Sequence, residues 1–245
     1  MPHIDAAKNG TKGLYTHPDF PALSIVDHPL VADKLGRLRD AATPSKEFRE
    51  LSGELATLLA WPATADLEVT DTQVATPLDW APARKITRVP LLVPILRAGL
   101  GLVPGFHALM PQATVAHVGI YRDPDTLQAV PYYVNLPEKL EGWRAFVLDP
   151  MLATGASAIA TISLLLERGA QLNDLRFISL IAAPEGVRAL LTAYPGLRAF
   201  TCAIDRHLND HAYIVPGLGD AGDRLFGAGA GRMPEVAARS PRRRD

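Results

Sequence analysis

The chain's densest set of chemically useful residues is LDPMLATGAS, residues 148–157. Asp149 ends an apolar run, and Pro150 cannot donate to a strand ladder, so a buried strand should stop there. Thr154, Gly155, Ala156 and Ser157 then lead into an apolar segment of helical character, 156–169. A helix start leaves N–H groups unpaired and carries the positive end of the macrodipole. Small residues let those groups approach an anion, and Thr154 and Ser157 add hydroxyl donors. The tetrapeptide alone fits an ordinary capped helix equally well. Asp149 tips the balance, because a carboxylate beside a phosphate cradle is unfavourable unless it serves a sugar hydroxyl or a metal. A phosphorylated ribose would use both groups.

Arg97 sits in ILRAGLG, directly after another apolar run. A guanidinium before a Gly-rich turn suits a diphosphate, although local context alone favours an ordinary surface arginine. Arg122, in YRDPDT, also follows a strand-like run and enters a polar loop. GLGDAG (217–222) formally satisfies G-x-G-x-x-G, but it follows IVP and precedes DRLFGAGAG, which has no amphipathic helical pattern. It reads better as a Gly-rich hairpin presenting backbone groups to a flat ligand than as a dinucleotide fingerprint. No H-E-x-x-H, C-x-x-C or G-x-x-x-x-G-K-[ST] occurs, and the seven histidines are scattered. Cys202 lies in the strand-like LRAFTCAI and reads as a buried small apolar residue.

The elements that must position these residues follow from periodicity. VPLLVPI (89–95), TVAHVGI (114–120), RAFVLD (144–149), LRFISLIAA (175–183) and LRAFTCAI (197–204) are near-continuous apolar runs, as expected of strands buried on both faces. Helical segments 156–169 and PEGVRALLTAY alternate with them, which predicts a parallel sheet with helices on both sides. Ligands on such sheets gather beyond the carboxyl ends of the strands. Upstream, PLVADKLGRLRD has helical spacing. A second helix should open at Thr43-Pro44, with Thr43 as cap and Phe48, Leu51, Leu55, Leu58 and Leu59 on one face. The first residues, to about Pro21, are mixed and polar and are expected to be loosely held. After Phe226 the chain turns Gly-rich and then basic, as in a flexible tail.

Composition sets the outer limits. Hydrophobic residues make up 48%, enough for a sizeable core, and the net charge of -1 gives no bulk reason to coat nucleic acid or an anionic membrane. A lone cysteine, no basic-then-apolar leader and no run of about 18 apolar residues point to a soluble cytoplasmic protein.

VLDPMLATGAS resembles the phosphoribosyl-diphosphate loop of the uracil phosphoribosyltransferases. VPILRAGLG (93–101), VGIYRDPDTLQAVPYY (118–133), AAPEGV (182–187) and YIVPGLGDAGDRLFG (213–227) are similar to that family in the same order, as are HPLVADKLGRLRD and ATADLE near the start. The resemblance covers about 24–227, leaving an extension (1–23) and a tail (228–245) without counterpart. It implies a type I phosphoribosyltransferase-like α/β fold, a parallel sheet flanked by helices with a small hood or hairpin for the base. It also implies transfer of a 5-phosphoribosyl group from 5-phospho-α-D-ribose 1-diphosphate to N1 of uracil, giving UMP and diphosphate. By the same carry-over, Arg97 and Arg122 bind the donor's diphosphate side, Arg122 from a loop that excludes water. Asp149, Pro150, Met151, Leu152, Ala153, Thr154, Gly155, Ala156, Ser157 and Asp220 complete the donor site. Ile214, Gly219, Asp220 and Ala221 contact uracil. Mg²⁺ is expected to arrive with the donor rather than on a protein site, with GTP as an effector and a homo-oligomer as the assembly. A non-enzymatic regulator on the same fold, or the same chemistry on another base, are the rival expectations.

Two positions depart from the family pattern. Ala156 stands where the loop usually has a second Gly, and would be strained if that position needs a positive φ. His207 stands where Gly is usual, which puts the local turn in question.

Overall fold

The computed structural model describes residues 13–122 and 129–227. The chain opens with a hairpin, β1 (Leu14–His17) and β2 (Phe20–Val26), then runs through α1 (Pro29–Arg39) and α2 (Ser45–Ala63). A second hairpin, β3 (Val69–Ala75) and β4 (Trp80–Ile86), leads to β5 (Leu91–Leu96), a short 3-10 helix (Ala98–Leu102) and α3 (Val103–Leu109). Next come β6 (Thr114–Val115), β7 (His117–Arg122), β8 (Ala129–Asn135), β9 (Ala145–Leu148), β10 (Met151–Leu152) and α4 (Ala156–Glu167). The last part holds β11 (Leu175–Ile178), β12 (Ile181–Ala182), α5 (Pro184–Ala193), β13 (Arg198–Thr201) and β14 (Ala203–Ile204). A small hairpin, β15 (His207–Leu208) and β16 (Ile214–Val215), and α6 (Ala221–Phe226) close it.

The main sheet runs β1-β2-β13-β11-β9-β5-β7-β8, with β6 also on β5. Its centre, from β2 to β7, is parallel, and only the outer pairs β1/β2 and β7/β8 are antiparallel. Period-2 alternation divides the core between two faces. Leu92, Phe146, Leu148, Ile178 and Phe200 pack under α1, α2 and α3, while Leu91, Val93, Val147, Phe177 and Ala199 pack under α4 and α5. Each of the large side chains is essentially sealed from solvent, worth roughly 1.5–3 kcal/mol apiece.

Three neighbouring strands break together beyond this core. β9, β11 and β13 each stop, and β10, β12 and β14 resume as a small parallel sheet in the same relative register. Pro150 makes the break in the first of them, and its carbonyl accepts from the amides of Leu180 (3.0 Å) and Ile181 (3.1 Å).

Several expectations need correction. Residues 14–21 are not loose. They form β1 and the start of β2, which continues to Leu23, fully buried and paired to Ala199; the polar turn between the strands hid the apolar alternation. Thr43 does not cap α2. Its hydroxyl donates to the Arg37 carbonyl at 2.6 Å, tying the loop to α1, and Pro44 occupies the cap position. GLGDAG is not a hairpin: its first residues form a loop after β16, and a short helix, α6, starts at Ala221 within the motif, capped by Asp220. The expected tail (228–245) and residues 1–12 lie outside the described residues. Among the described residues no helix is long and apolar enough to cross a membrane.

Candidate active site

The strand-to-helix junction is built on a break and a left-handed turn. Asp149 is partly buried at the end of β9, where its amide donates to Ile178 O at 3.1 Å. Burial pushes its carboxyl up to about 7, offset only weakly by a long 3.4 Å hydrogen bond from the Met151 amide. Gly155 then turns the chain with φ of 84°, and α4 begins at Ala156. A Cβ on Gly155 would also come within 3.0 Å of the Gly186 carbonyl. Thr154 Oγ1 accepts from the Ala156 amide at 3.4 Å. Asp149 and the backbone from Met151 to Ala158 enclose a cavity of about 60 Å³. A water needs only about 10–15 Å³ of such space, so the notch has room for a phosphate-sized group. Pro150, expected to touch the donor, is buried and forms no part of this wall.

The notch rests on α5. A Cβ on Gly186 would lie 2.3 Å from the Ala153 carbonyl and 2.8 Å from that of Leu152, so only glycine lets α5 come this close. The Ala183 amide donates to Leu152 O at 2.9 Å and fixes the same seam. The residue types of AAPEGV alone do not show this role. A glycine in the first turn of a helix with no turn to make was the available signal.

Arg97 follows β5 across a cis Leu96–Arg97 peptide. Two residues on, a Cβ at Gly99 would be 2.3 Å from the Leu148 carbonyl, so this turn lies directly on the end of β9, next to Asp149. The Arg97 side chain is more than half exposed, with Asp223 Oδ1 at 3.7 Å and the Phe226 ring centre at 5.9 Å. An exposed pair of that length contributes about 0–1 kcal/mol, too little to hold the guanidinium against a diphosphate. Arg122 ends β7, and the loop expected to close over the donor, 123–128, lies outside the described residues.

The residues expected to contact the base cluster where α6 meets the 3-10 helix. Gly101 leaves no room for a Cβ beside Leu225, and a Cβ on Gly222 would stand 3.8 Å from Arg97 Nη2. Gly219 takes φ of 79°. The side chains of Ile214 and Ala221 are buried, so what they can offer a ligand is backbone. Asp220 Oδ1 is already engaged, accepting from the Asp223 amide at 2.8 Å as the cap of α6. The loop between is held by residues that the sequence did not single out. Asp205 is buried and receives two hydrogen bonds from Arg39, at 2.6 and 2.7 Å. In sequence, Arg39 is one of two basic residues in the last turn of α1 and looks like a helix-dipole partner.

A family model described as uracil phosphoribosyltransferase matches residues 25–228. The chain belongs to that family. It is 52% identical over 204 residues to the uracil phosphoribosyltransferase of Geobacillus kaustophilus, covering 83% of this chain and 97% of the relative. The Dictyoglomus turgidum uracil phosphoribosyltransferase is 50% identical, with 83% and 98% covered. Among solved structures, the AQ2163 protein from Aquifex aeolicus superposes with a TM-score of 0.78 at 34% identity, covering 83% of this chain and 97% of that one. The fold is the type I phosphoribosyltransferase fold, with a mainly parallel sheet flanked by helices. Both departures from the uracil phosphoribosyltransferase pattern are accommodated. The positive φ falls on Gly155, and Ala156 is already the first helical residue, where a methyl is harmless. His207 lies in β15 opposite Val215, in extended backbone that needs no glycine.

Proposed function

We infer that this enzyme transfers the 5-phosphoribosyl group of 5-phospho-α-D-ribose 1-diphosphate to N1 of uracil, releasing UMP and diphosphate, as a step of pyrimidine salvage. The observation that carries the site is the seam at Gly99. It sets the Arg97 turn on the end of β9, beside Asp149, and a Cβ on Gly222 at the start of α6 would stand 3.8 Å from Arg97 Nη2, which supports one site formed beyond the carboxyl ends of the strands.

The first-turn amides of α4 with Thr154 and Ser157 hold the 5-phosphate, where the helix dipole and close backbone favour an anion. Asp149 accepts from the ribose hydroxyls. Arg97 and Arg122 receive the negative charge that gathers on the departing diphosphate, so the protein acts chiefly by position and electrostatics. Backbone groups of Ile214, Gly219 and Ala221 face the edge of uracil, and Asp220 caps the helix behind them. A cytosine edge would leave a buried polar group unpaired, at a cost of about 1–3 kcal/mol.

Among the described residues no three His, Cys, Asp or Glu gather as a metal site. The partly buried Asp149 in the notch nonetheless fits a Mg²⁺ delivered on the donor's own oxygens, because a cation beside it would relieve the burial that raises its carboxyl. Such an ion supplies charge neutralisation of the diphosphate. Control by GTP and assembly as a homo-oligomer rest on the family resemblance. A cytoplasmic location is proposed from the single cysteine and the balanced charge.

Purified protein given uracil, phosphoribosyl diphosphate and Mg²⁺ should form UMP, undisturbed by adenine, guanine or hypoxanthine. Failure to form UMP, or preference for a purine, would overturn the assignment.

A further inference from the structure

We infer that the Arg39–Asp205 ion pair is a positioning device for the uracil-reading loop; this rests on the proposed role of residues 214–221. The loop from Pro216 to Gly219 lies between the end of β16 and the start of α6, so neither ladder nor helix fixes its backbone. Among the described residues its hydrogen bonds come from three side chains. Asp205 Oδ2 accepts from the Gly217 amide at 2.9 Å, and Arg39 Nη1 donates to the Gly217 carbonyl at 2.7 Å. Both polar backbone groups of one residue are thus held by the two halves of one ion pair. The next carbonyl, Leu218, accepts from Arg224 Nη1 at 2.8 Å, while Arg224 Nη2 donates to the Asp40 carbonyl at 2.5 Å. The end of α1 therefore supports two consecutive peptide units.

The turn has no slack to absorb an error. Gly217 has φ of 64°, and a Cβ there would stand 2.1 Å from the Ile214 carbonyl. Asp205 also reaches the donor side: its amide donates to Ala182 O at 2.8 Å, on the strand that leads to Gly186 under the phosphate notch. Fixing Gly217 thereby fixes the distance between the base and the sugar it must meet. A guanidinium and a carboxylate in bidentate contact are suited to this because their geometry is planar and rigid. Neither touches the reacting atoms, so both are positioning residues.

The test is kinetic. In Asp205→Asn and Arg39→Met, KM for uracil should rise about tenfold or more, the scale of a buried polar contact left unmade. Donor affinity, measured by titration calorimetry without uracil, should stay within about twofold, and Arg39→Lys should recover part of the loss. Unchanged uracil KM in these folded variants overturns the clamp, as does a parallel loss for both substrates. Should they fail to fold, Arg224→Lys, which loosens the Leu218 carbonyl, is read by the same criteria. Uracil soaked into crystals of the unaltered enzyme separates the two levels. Uracil bound away from 214–221 sinks the site assignment, whereas uracil bound there with indifferent variants sinks the clamp alone.

Discussion

Replacing Gly186 by alanine tests the seam beneath the phosphate notch. The added Cβ would begin 2.3 Å from the Ala153 carbonyl, while ordinary contact starts near 3.4 Å, so helix and loop must separate by about 1.1 Å. The atoms in conflict are backbone, which cannot rotate away. Residue 186 is in the first turn of α5, where alanine favours the helix by up to about 1 kcal/mol, so α5 should survive and the thin loop 153–154 after β10 should yield. If those atoms place the donor as proposed, a shift of that size costs on the order of 10²-fold in turnover. Steady-state kinetics with both substrates should show the loss in kcat/KM for the donor, with melting temperature changed little. The control is Ala156→Gly. Ala156 is helical and does not need a positive φ, so glycine there should lower stability by up to about 1 kcal/mol and leave donor affinity intact. If Gly186→Ala binds and turns over donor like the parent, the claim that α5 shapes the notch is wrong.

Other expectations are as direct. Asp149→Asn should cut turnover by about 10²-fold or more and yet melt higher at pH 8. Burial raises the carboxyl from 3.8 to about 7, so its charge costs stability that is intact below about 4 and is lost as pH rises through 7. The gain should shrink at pH 5, and equal melting at both pH values would refute it. For the same reason the parent enzyme's kcat/KM for donor should fall on the acid side of about 7, and calorimetric titration across that range checks it. Arg97→Ala should lose about 10²-fold or more in donor kcat/KM with stability within about 0.5 kcal/mol, since its contact to Asp223 is exposed and long. Asp66→Ala should cost about 1–3 kcal/mol in denaturant unfolding, because the half-exposed Asp66 Oδ2 accepts from the buried Arg176 at 2.6 Å and from Arg198 at 2.7 Å, while Arg176 keeps its hydrogen bonds to the Asn173 and Leu175 carbonyls. Burial pushes the Asp66 carboxyl up, but the Arg176 hydrogen bond and the charges of Arg176, Arg144 and Arg198 outweigh it and hold it below the usual range. That stabilisation is therefore present above the ordinary carboxylate range and lost as pH falls through the folded-state value, which melts in acid will follow.

What could be seen in the sequence is local, and what could not is long-range. Asp149-Pro150, the hydroxylated turn and the apolar runs carry their meaning within ten residues or so, and the strand-to-helix notch follows from them. The hairpin of β3 and β4 escaped notice because most of its residues are exposed, so no apolar alternation marks it. The first hairpin was hidden by its polar turn, and α6 by its brevity. Arg39 and Asp205 meet across 166 positions of chain, and no periodicity announces such a pair. Gly186 and Gly99 are glycines for the sake of a neighbour's carbonyl, which only three dimensions reveal.

β9, β11 and β13 break at the same level of the sheet. Because the three strands resume in unchanged register, each spends its own short link, Asp149-Pro150, Ser179-Leu180 or Cys202, at one common level. They act as treads of a single staircase. Shortening or lengthening any one of them by a residue would tilt the landing above it and turn the neighbouring side chains to the wrong face. Length variation in this protein should therefore be confined to the opposite rim of the sheet and to the outer hairpins, while these three links keep step.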